Sequence, residues 1–290
     1  MIPVSFEYER ASSVDEALDL LSGADASAIA GGHSLLPLMK LRLAQPAKLV
    51  DIGGLKELTG IEQADGGWVI GALTTYRQLL DHEGLMAAFP MLRDCVDSIG
   101  DVQVRNRGTV GGALAHADPF SDLAAAALAL DGEVLLRSKG GERSVPVDGF
   151  FTGTFTTAIE PGELLIALRL PALPGGVGTA WGSLLQVASG YSLVGVAAVV
   201  GDAHGVLGSA TMSHIRVGIT GVAEAPYRAK AVEQALEGTD CNAADLAAAA
   251  SHATEGQTVN SDIHADAEYR TSLTTTLVRR ALEHARARAG

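Results

Sequence analysis

Apolar residues recur in two rhythms along the chain, and the switches between them mark its elements. Val14, Ala17, Leu18 and Leu21 keep helical spacing behind Ser13-Val-Asp-Glu16, which has the form of a capping box, so a helix is predicted over about 14–21. Residues 27–30 read as a strand, Gly31-Gly-His-Ser34 as a tight loop, and the apolar stretch 35–43, broken early by Pro37, as a helix. Strands follow at 48–52 and 68–72, with helical patterns at 76–80 and 91–99. A passage rich in glycine and polar residues, 105–122, then leads into an Ala-rich helix at 123–130, and strands are predicted at 133–137, 144–147 and 163–170. The run Pro171-Ala-Leu-Pro-Gly-Gly-Val-Gly178 is the strongest linker signal, and the domain boundary is placed there. Beyond it, strands at 181–187, 193–200 and 213–222 and helices at 228–236, 243–253 and 267–288 make a smaller unit. The pattern is α+β with mixed sheets and no repeat of solenoid period.

Composition narrows the function. A formal net charge of -13 disfavours any non-specific hold on nucleic acid or anionic lipid. Two cysteines, Cys95 and Cys241, are too few for a thiolate-ligated iron-sulphur cluster, a four-cysteine zinc site or a disulfide framework. The N-terminus lacks the basic head and apolar core of a secretory signal, and the most apolar stretches fall short of the roughly 20 residues a membrane span needs, so a cytoplasmic protein is expected. There is no Gly-x-Gly-x-x-Gly behind a strand, no Walker loop and no Gly-x-Ser-x-Gly elbow.

The candidate chemistry lies in two glycine pairs. Gly31-Gly-His-Ser34 sits between a strand and a helix, where main-chain N–H groups can approach a phosphate without a Cβ in the way, although a plain glycine turn would look the same. Thr109-Val-Gly-Gly112 is a second loop of that character, and together the two would clasp a pyrophosphate from both sides. Asp122 would accept from a ribose hydroxyl, or cap the helix starting at Leu123, or both. Arg105 and Arg107 would neutralise phosphate or pair with the protein's own carboxylates. His116, Asp118 and Asp122 lie close in sequence, but no further His or Cys stands nearby and no histidine pair has helical spacing, so no metal site is expected. Tyr191 would lie against a flat cofactor or bury itself in a core, and Asp262 and His264 would cap or orient the last helix.

Read together, Ala30-Gly-Gly-His-Ser-Leu35 with Lys40-Leu-Arg42, Arg105-Asn-Arg-Gly-Thr-Val-Gly-Gly112, Ala117-Asp-Pro119, Ser121-Asp122, Ser261-Asp-Ile-His264 and Tyr269-Arg270 resemble a known family in order over nearly the whole chain. It is the medium, FAD-binding subunit of the molybdenum hydroxylases, the carbon monoxide dehydrogenase and xanthine dehydrogenase family. The resemblance implies a two-subdomain FAD-binding domain of vanillyl-alcohol-oxidase type at 1–174, split at about 54/55. A C-terminal flavoprotein domain of the family would follow at 179–290. Carried over by position, Ala30, Gly31, Gly32, His33, Ser34 and Leu35 form the first pyrophosphate loop, and Thr109, Gly111, Gly112 and Ala113 the second. Asp122 falls on the ribitol or ribose side, Leu164 or Leu165 near the flavin, and Tyr191 over the isoalloxazine.

The resemblance further implies an electron-transfer role. The molybdenum cofactor would sit in a large subunit and two-iron two-sulphur clusters in a small one, in a dimer of heterotrimers, with FAD here passing electrons to an external acceptor. The substrate, oxidised on another subunit, and the acceptor, whether quinone, NAD, a cytochrome or dioxygen, stay open. One departure stands out: the family usually has a lysine near the position of Ser183 and basic residues before Ser189-Gly-Tyr191, and here there are none. A cation lost there would stabilise an anionic reduced flavin less, shifting acceptor preference. It also leaves the alternative of a non-redox assembly or ligand-binding paralogue with a decayed flavin site.

Overall fold

The computed structural model describes residues 1–23, 25–64, 66–201, 212 and 214–289. A small parallel sheet opens the chain, with β1 (Glu7–Arg10), β2 (Ala26–Ile29) and β3 (Lys48–Asp51) in the order β1-β3-β2. Between them lie α1 (Val14–Leu21) and α2 (Leu35–Lys40). Ser13 caps α1 by accepting from the Glu16 N–H, while the Glu16 carboxylate reaches back to Ser12 and not to Ser13, a displaced form of the expected capping box. α2 ends three residues before the expected 43, because Leu41 is its C-cap and Arg42 turns to φ 61°.

A second, antiparallel sheet holds β4 (Ile61–Ala64), β5 (Gly67–Gly71), β6 (Glu133–Ser138), β7 (Gly141–Pro146) and β10 (Leu164–Pro171) in the order β4-β5-β10-β6-β7. The short pair β8 (Phe151–Gly153) and β9 (Thr156–Thr157) stands apart. Helices α3 (Tyr76–Asp81), α4 (Glu83–Ala88), α5 (Pro90–Ser98), α6 (Val102–Arg107), α7 (Val110–His116) and α8 (Asp122–Ala129) fill the connection from β5 to β6. The glycine-rich passage at 105–122, which carries no expected element, is thus largely helical. Its glycines 111 and 112 lie inside the first turn of α7, and tertiary packing overrides their low helix propensity. Asp122 does not cap α8. Ser121 holds the cap position and Asp122 is the first helical residue.

The third sheet, β11 (Gly178–Leu185), β12 (Ser192–Gly201), β13 (His214–Thr220) and β14 (Tyr227–Arg228), is antiparallel in sequence order. It is covered by α9 (Lys230–Leu236), α10 (Ala243–Ala250) and α11 (Ala267–Arg288). β11 starts three residues earlier than expected, taking up the end of the linker run, and Ser213, the first residue of one expected strand, lies outside the described residues. α11 is capped by Asp266, which accepts from the Tyr269 N–H, and not by Asp262 or His264.

Each sheet has its own apolar core, around Val50 and Leu18, around Phe89 and Leu136, and around Val196 and Val278. The second unit meets the third through α5, which lies on β11, and through α8. Every residue of this Ala-rich helix is buried, as an all-round apolar helix must be, and it lies directly on β13. The approach is close enough that a Cβ at Gly218 would stand 2.1 Å from the Ala125 carbonyl oxygen. At the end of α8, Asp131 accepts from Arg216 Nε (2.8 Å) and Arg228 Nη1 (2.6 Å), and Arg228 also pairs with Glu233 at 2.7 Å. Gly218→Ala therefore wedges α8 off the sheet, with an expected loss of about 1–3 kcal/mol in urea unfolding. An unchanged midpoint would show that α8 adjusts freely.

Candidate functional site

A cavity of about 670 Å³ opens among the parallel sheet, helices α7 and α8, and the hairpin between β11 and β12. The structure brings to its wall every residue that the family resemblance nominates for the cofactor, though not Arg105, Arg107, Asp262 or His264. Those on the wall are the loop 30–35, Thr109, Gly111, Gly112 and Ala113 at the start of α7, Asp122 on α8, Leu164 and Leu165 on β10, and Tyr191 in the hairpin.

The two glycine pairs differ in what they offer. In the first loop, the main-chain N–H groups from Gly31 through Leu35 donate to no protein acceptor among the described residues. Ser34 stands at the cap position of α2, yet its hydroxyl caps nothing. A run of successive unpaired N–H groups is the cradle an anionic oxygen fills. The glycines are needed for its shape. Gly32 takes φ +74°, and a Cβ at Gly31 would stand 2.0 Å from the Arg107 carbonyl oxygen, so the loop is pressed directly onto the junction of α6 and α7.

In the second pair the donors are already engaged. Val110 N–H bonds Thr74 O (2.9 Å), Gly111 N–H bonds Ala72 O (2.8 Å), Gly112 N–H bonds Thr109 Oγ1 (3.1 Å), and Ala113 N–H bonds Thr109 O (3.0 Å). Thr109 is the N-cap of α7 and keeps its hydroxyl hydrogen to give, together with its own N–H, which donates to no protein acceptor among the described residues. Gly111 serves packing, since a Cβ there would meet the Ala72 Cβ at 2.5 Å. The main-chain anion cradle therefore lies mostly in the first loop, with the Thr109 N–H as the one open donor of the second.

Charge in the cavity is all of one sign. Its wall contains no lysine or arginine, but includes Asp118, Asp122, Glu160 and Glu163. Arg105 is a staple, donating through Nη1 to the carbonyls of Asp97, Ile99 and Gly100, and neither it nor Arg107 lines the cavity. Arg143 grips Glu163 at 2.5 and 2.7 Å and holds its carboxyl below the usual range. Asp118 accepts from the Phe120 N–H at 2.9 Å. Asp122 is different. Burial, with a smaller contribution from the Asp118 charge, pushes its carboxyl up to about 7, against an opposing effect of the nearby Ser192 hydroxyl. No hydrogen bond of normal geometry joins Asp122 and Ser192, and both Asp122 Oδ1 and Ser192 Oγ are buried without a partner. A buried acceptor left open on a cavity wall is a place for a ligand donor.

Tyr191 is half-exposed in its hairpin. There Gln186 Oε1 accepts from the Ser189 N–H (2.6 Å) and hydroxyl (2.9 Å), Gly190 takes φ +75°, and Gln186 N–H bonds Tyr191 O at 2.7 Å. Sequence reasoning missed several residues on the wall, notably Tyr76, His116, Phe120 and Gly190. Tyr76 follows a Thr75–Gln78 capping box, a local signal for a helix start that says nothing about what the ring faces. Ser183 lies on β11, outside the cavity wall.

Comparison with known proteins agrees with this geometry. The family described as FAD binding domain in molybdopterin dehydrogenase matches residues 4–173, and the CO dehydrogenase flavoprotein C-terminal domain matches residues 186–285. The carbon monoxide dehydrogenase medium chain of Hydrogenophaga pseudoflava is 39% identical over 99% of both chains. Subunit alpha of the 6-hydroxypseudooxynicotine dehydrogenase complex of Paenarthrobacter nicotinovorans is 37% identical over 100% of this chain and 97% of that protein. A solved carbon monoxide dehydrogenase from Hydrogenophaga pseudoflava, lacking the Mo-pyranopterin moiety of its cofactor, superposes with a TM-score of 0.95 at 41% identity over 100% of both chains. With one family domain over most of its first part, a second over most of the remainder and full-length relatives beside them, the chain belongs to the family of FAD-binding medium chains of the molybdenum-containing dehydrogenases.

Proposed function

We propose that this chain holds one FAD in the cavity and serves as the electron-transfer subunit of a cytoplasmic molybdenum hydroxylase. The single observation that carries the reading is the unpaired N–H run at 31–35, set beside the open acceptor of Asp122 in one cavity. The loop 30–35 would hold the pyrophosphate by main chain alone. Thr109 would add its hydroxyl, with Gly111, Gly112 and Ala113 shaping the opposite wall, and Asp122 Oδ1 would accept from a ribitol or ribose hydroxyl. Tyr191 would lie on the isoalloxazine, with Leu164 and Leu165 packed near it. Bound FAD supplies the chemistry of accepting electrons singly and passing them on. The protein's share is to orient the cofactor, shield one face of it and keep the anionic pyrophosphate on fixed dipoles.

Relatives named for carbon monoxide and for 6-hydroxypseudooxynicotine share the chain, which fits a substrate that meets another subunit. We place the iron-sulphur clusters on a small partner and the molybdopterin on a large one, in a dimer of heterotrimers, and the domain limits at 1–174, divided near 54, and 179–290. The three apolar clusters follow that division except where Ala197 and Val199 join the second and Leu73 and Leu164 the first. Among the described residues no helix is long and apolar enough to cross a membrane. Because Ser183 lies off the cavity wall, the missing lysine gives no ground for a decayed flavin site.

The test is the visible spectrum of the chain purified with the subunits that accompany it, and chromatography of the released chromophore. One FAD per chain is expected, and a colourless protein that takes up no added FAD overturns the reading. With carboxylates and no lysine or arginine on the wall, affinity is expected not to fall from about 0.01 M to about 1 M salt, over which the screening length drops from about 30 Å to about 3 Å. A tenfold weakening in titrations over that range would instead reveal a cationic contact with the pyrophosphate.

A further inference from the structure

Tyr191 does not stand alone at the cavity wall. Phe120 meets it edge to face, the centroids 6.5 Å apart and the planes at 83°. Behind Phe120 lies Arg270, its guanidinium carbon 5.8 Å from the ring centroid. Arg270 is fully buried in the first turn of α11, and each of its nitrogens is engaged. Nε donates to Asn260 O (3.2 Å), Nη1 to Leu193 O and Gly221 O (2.7 Å each), and Nη2 to Asp262 Oδ2 (2.8 Å).

These acceptors belong to the segments that carry the aromatic pair. Leu193 is two residues beyond Tyr191. Gly221 N–H and Thr220 Oγ1 both donate to Pro119 O, at 2.8 and 2.7 Å, and Pro119 immediately precedes Phe120. Asp262 is itself pinned by the N–H groups of His264 and Ala265. A buried ion pair is a weak source of net stability compared with apolar packing, so the yield of this arrangement is geometric. A planar fork joins three backbone segments at fixed angles, which a lysine, with one compact ammonium, would not reproduce.

We propose that Arg270 is a positioning residue that sets the Phe120–Tyr191 wall at the angle the flavin ring meets, and through it the environment of that ring. The inference rests on the flavin reading above. It gives Arg270 and Asp262, which lie outside the cavity wall, a part in the same site.

The experiment uses the flavin-loaded complex and two variants, Phe120→Leu and Arg270→Lys. Phe120→Leu leaves the buried ion pair intact and removes only the ring between Arg270 and Tyr191. It is expected to fold and keep FAD, with flavin fluorescence raised severalfold, the visible circular dichroism of the flavin altered and its midpoint potential shifted. Arg270→Lys is expected to move the same signals in the same direction. If it fails to fold, Asp262→Asn, which loosens the fork at Nη2 from outside the cavity and leaves Phe120 and Tyr191 in place, decides: the same signals move if Arg270 positions the wall and stay as in the parent if it does not. Variants that bind FAD and leave fluorescence, dichroism and potential as in the parent overturn the inference alone. A parent complex without flavin overturns the flavin reading and takes the inference with it.

Discussion

Exchanging Gly31 for alanine is expected to leave the purified protein colourless. The new Cβ would stand 2.0 Å from the Arg107 carbonyl oxygen and 2.8 Å from its carbon, main-chain atoms at the end of α6. That junction is itself fixed. Gly108 next to it is so close to the Tyr76 ring that a Cβ there would meet it at 2.7 Å, and Tyr76 N–H bonds Gly108 O at 3.1 Å. The loop must therefore move outward, and the N–H run from Gly31 to Leu35 loses its aim. Hydrogen bonds to charged acceptors contribute roughly 1.5–3 kcal/mol each, so losing two weakens FAD by at least about a hundredfold. Overpacking takes about 1–3 kcal/mol from stability as well.

Gly32→Ala is the comparison that separates the effects. Its φ of +74° strains any side chain, but the nearest obstacle, at 3.0 Å, is the end of the flexible Leu36 side chain. About 1–2 kcal/mol of left-handed strain and a much smaller loss of FAD are expected there. Equilibrium titration with FAD and urea unfolding of the flavin-free protein measure both quantities. Full flavin retention in Gly31→Ala would remove the loop from the binding account.

The second large effect concerns Asp122 in the flavin-free protein. Its carboxyl, ordinarily at 3.8, is held up to about 7 by burial. Between those values the folded chain keeps a proton that the unfolded chain has released, so stability falls as pH rises, by at most about 1.4 kcal/mol per pH unit from this group. Above about 7 the charged carboxylate sits in the cavity wall and its destabilisation is complete. Asp122→Asn is expected to flatten this slope and to make the flavin-free protein more stable than the parent near pH 8. The same change replaces a charged acceptor with a neutral one and weakens FAD by about 1 kcal/mol, roughly fivefold. A binding site that is stabilised when its function is damaged is a known signature of strain held for a ligand. Parallel pH profiles for parent and variant would show that Asp122 is already solvated and paired.

Helices α1 and α11 match the sequence expectation at both ends, because their periodicity and flanking polar residues are local. The cap of α11 was not legible. Asp262 and Asp266 are the same residue type a turn apart, and only Arg270, arriving from within the helix, engages the first and leaves the second to the N–H of Tyr269. Helix α7 was hidden by its glycines and the end of α6 by Gly108 behind it, and what justifies these glycines lies in distant residues, Ala72 for Gly111 and the Tyr76 ring for Gly108. Gly178 read as linker and is strand, and the reason is the Ala285 carbonyl of α11, 2.1 Å from where its Cβ would be. For the cavity, contiguous motifs such as 30–35 were legible. Tyr76 and Phe120 reach the wall only through tertiary packing, which spacing does not encode.

The one-signed wall of the cavity bears on competition inside a cell. Adenine nucleotides are abundant, and a pocket that captured phosphate by lysine or arginine would fill with whichever carried the most negative charge. If the loop at 31–35 holds the pyrophosphate as proposed, fixed dipoles would serve a single well-placed diphosphate, while Asp118 on the same wall, with no lysine or arginine beside it, would penalise further phosphates. On that reading, triphosphates would be disfavoured by the same surface that admits a dinucleotide, and vacant subunits would stay open for the scarcer molecule.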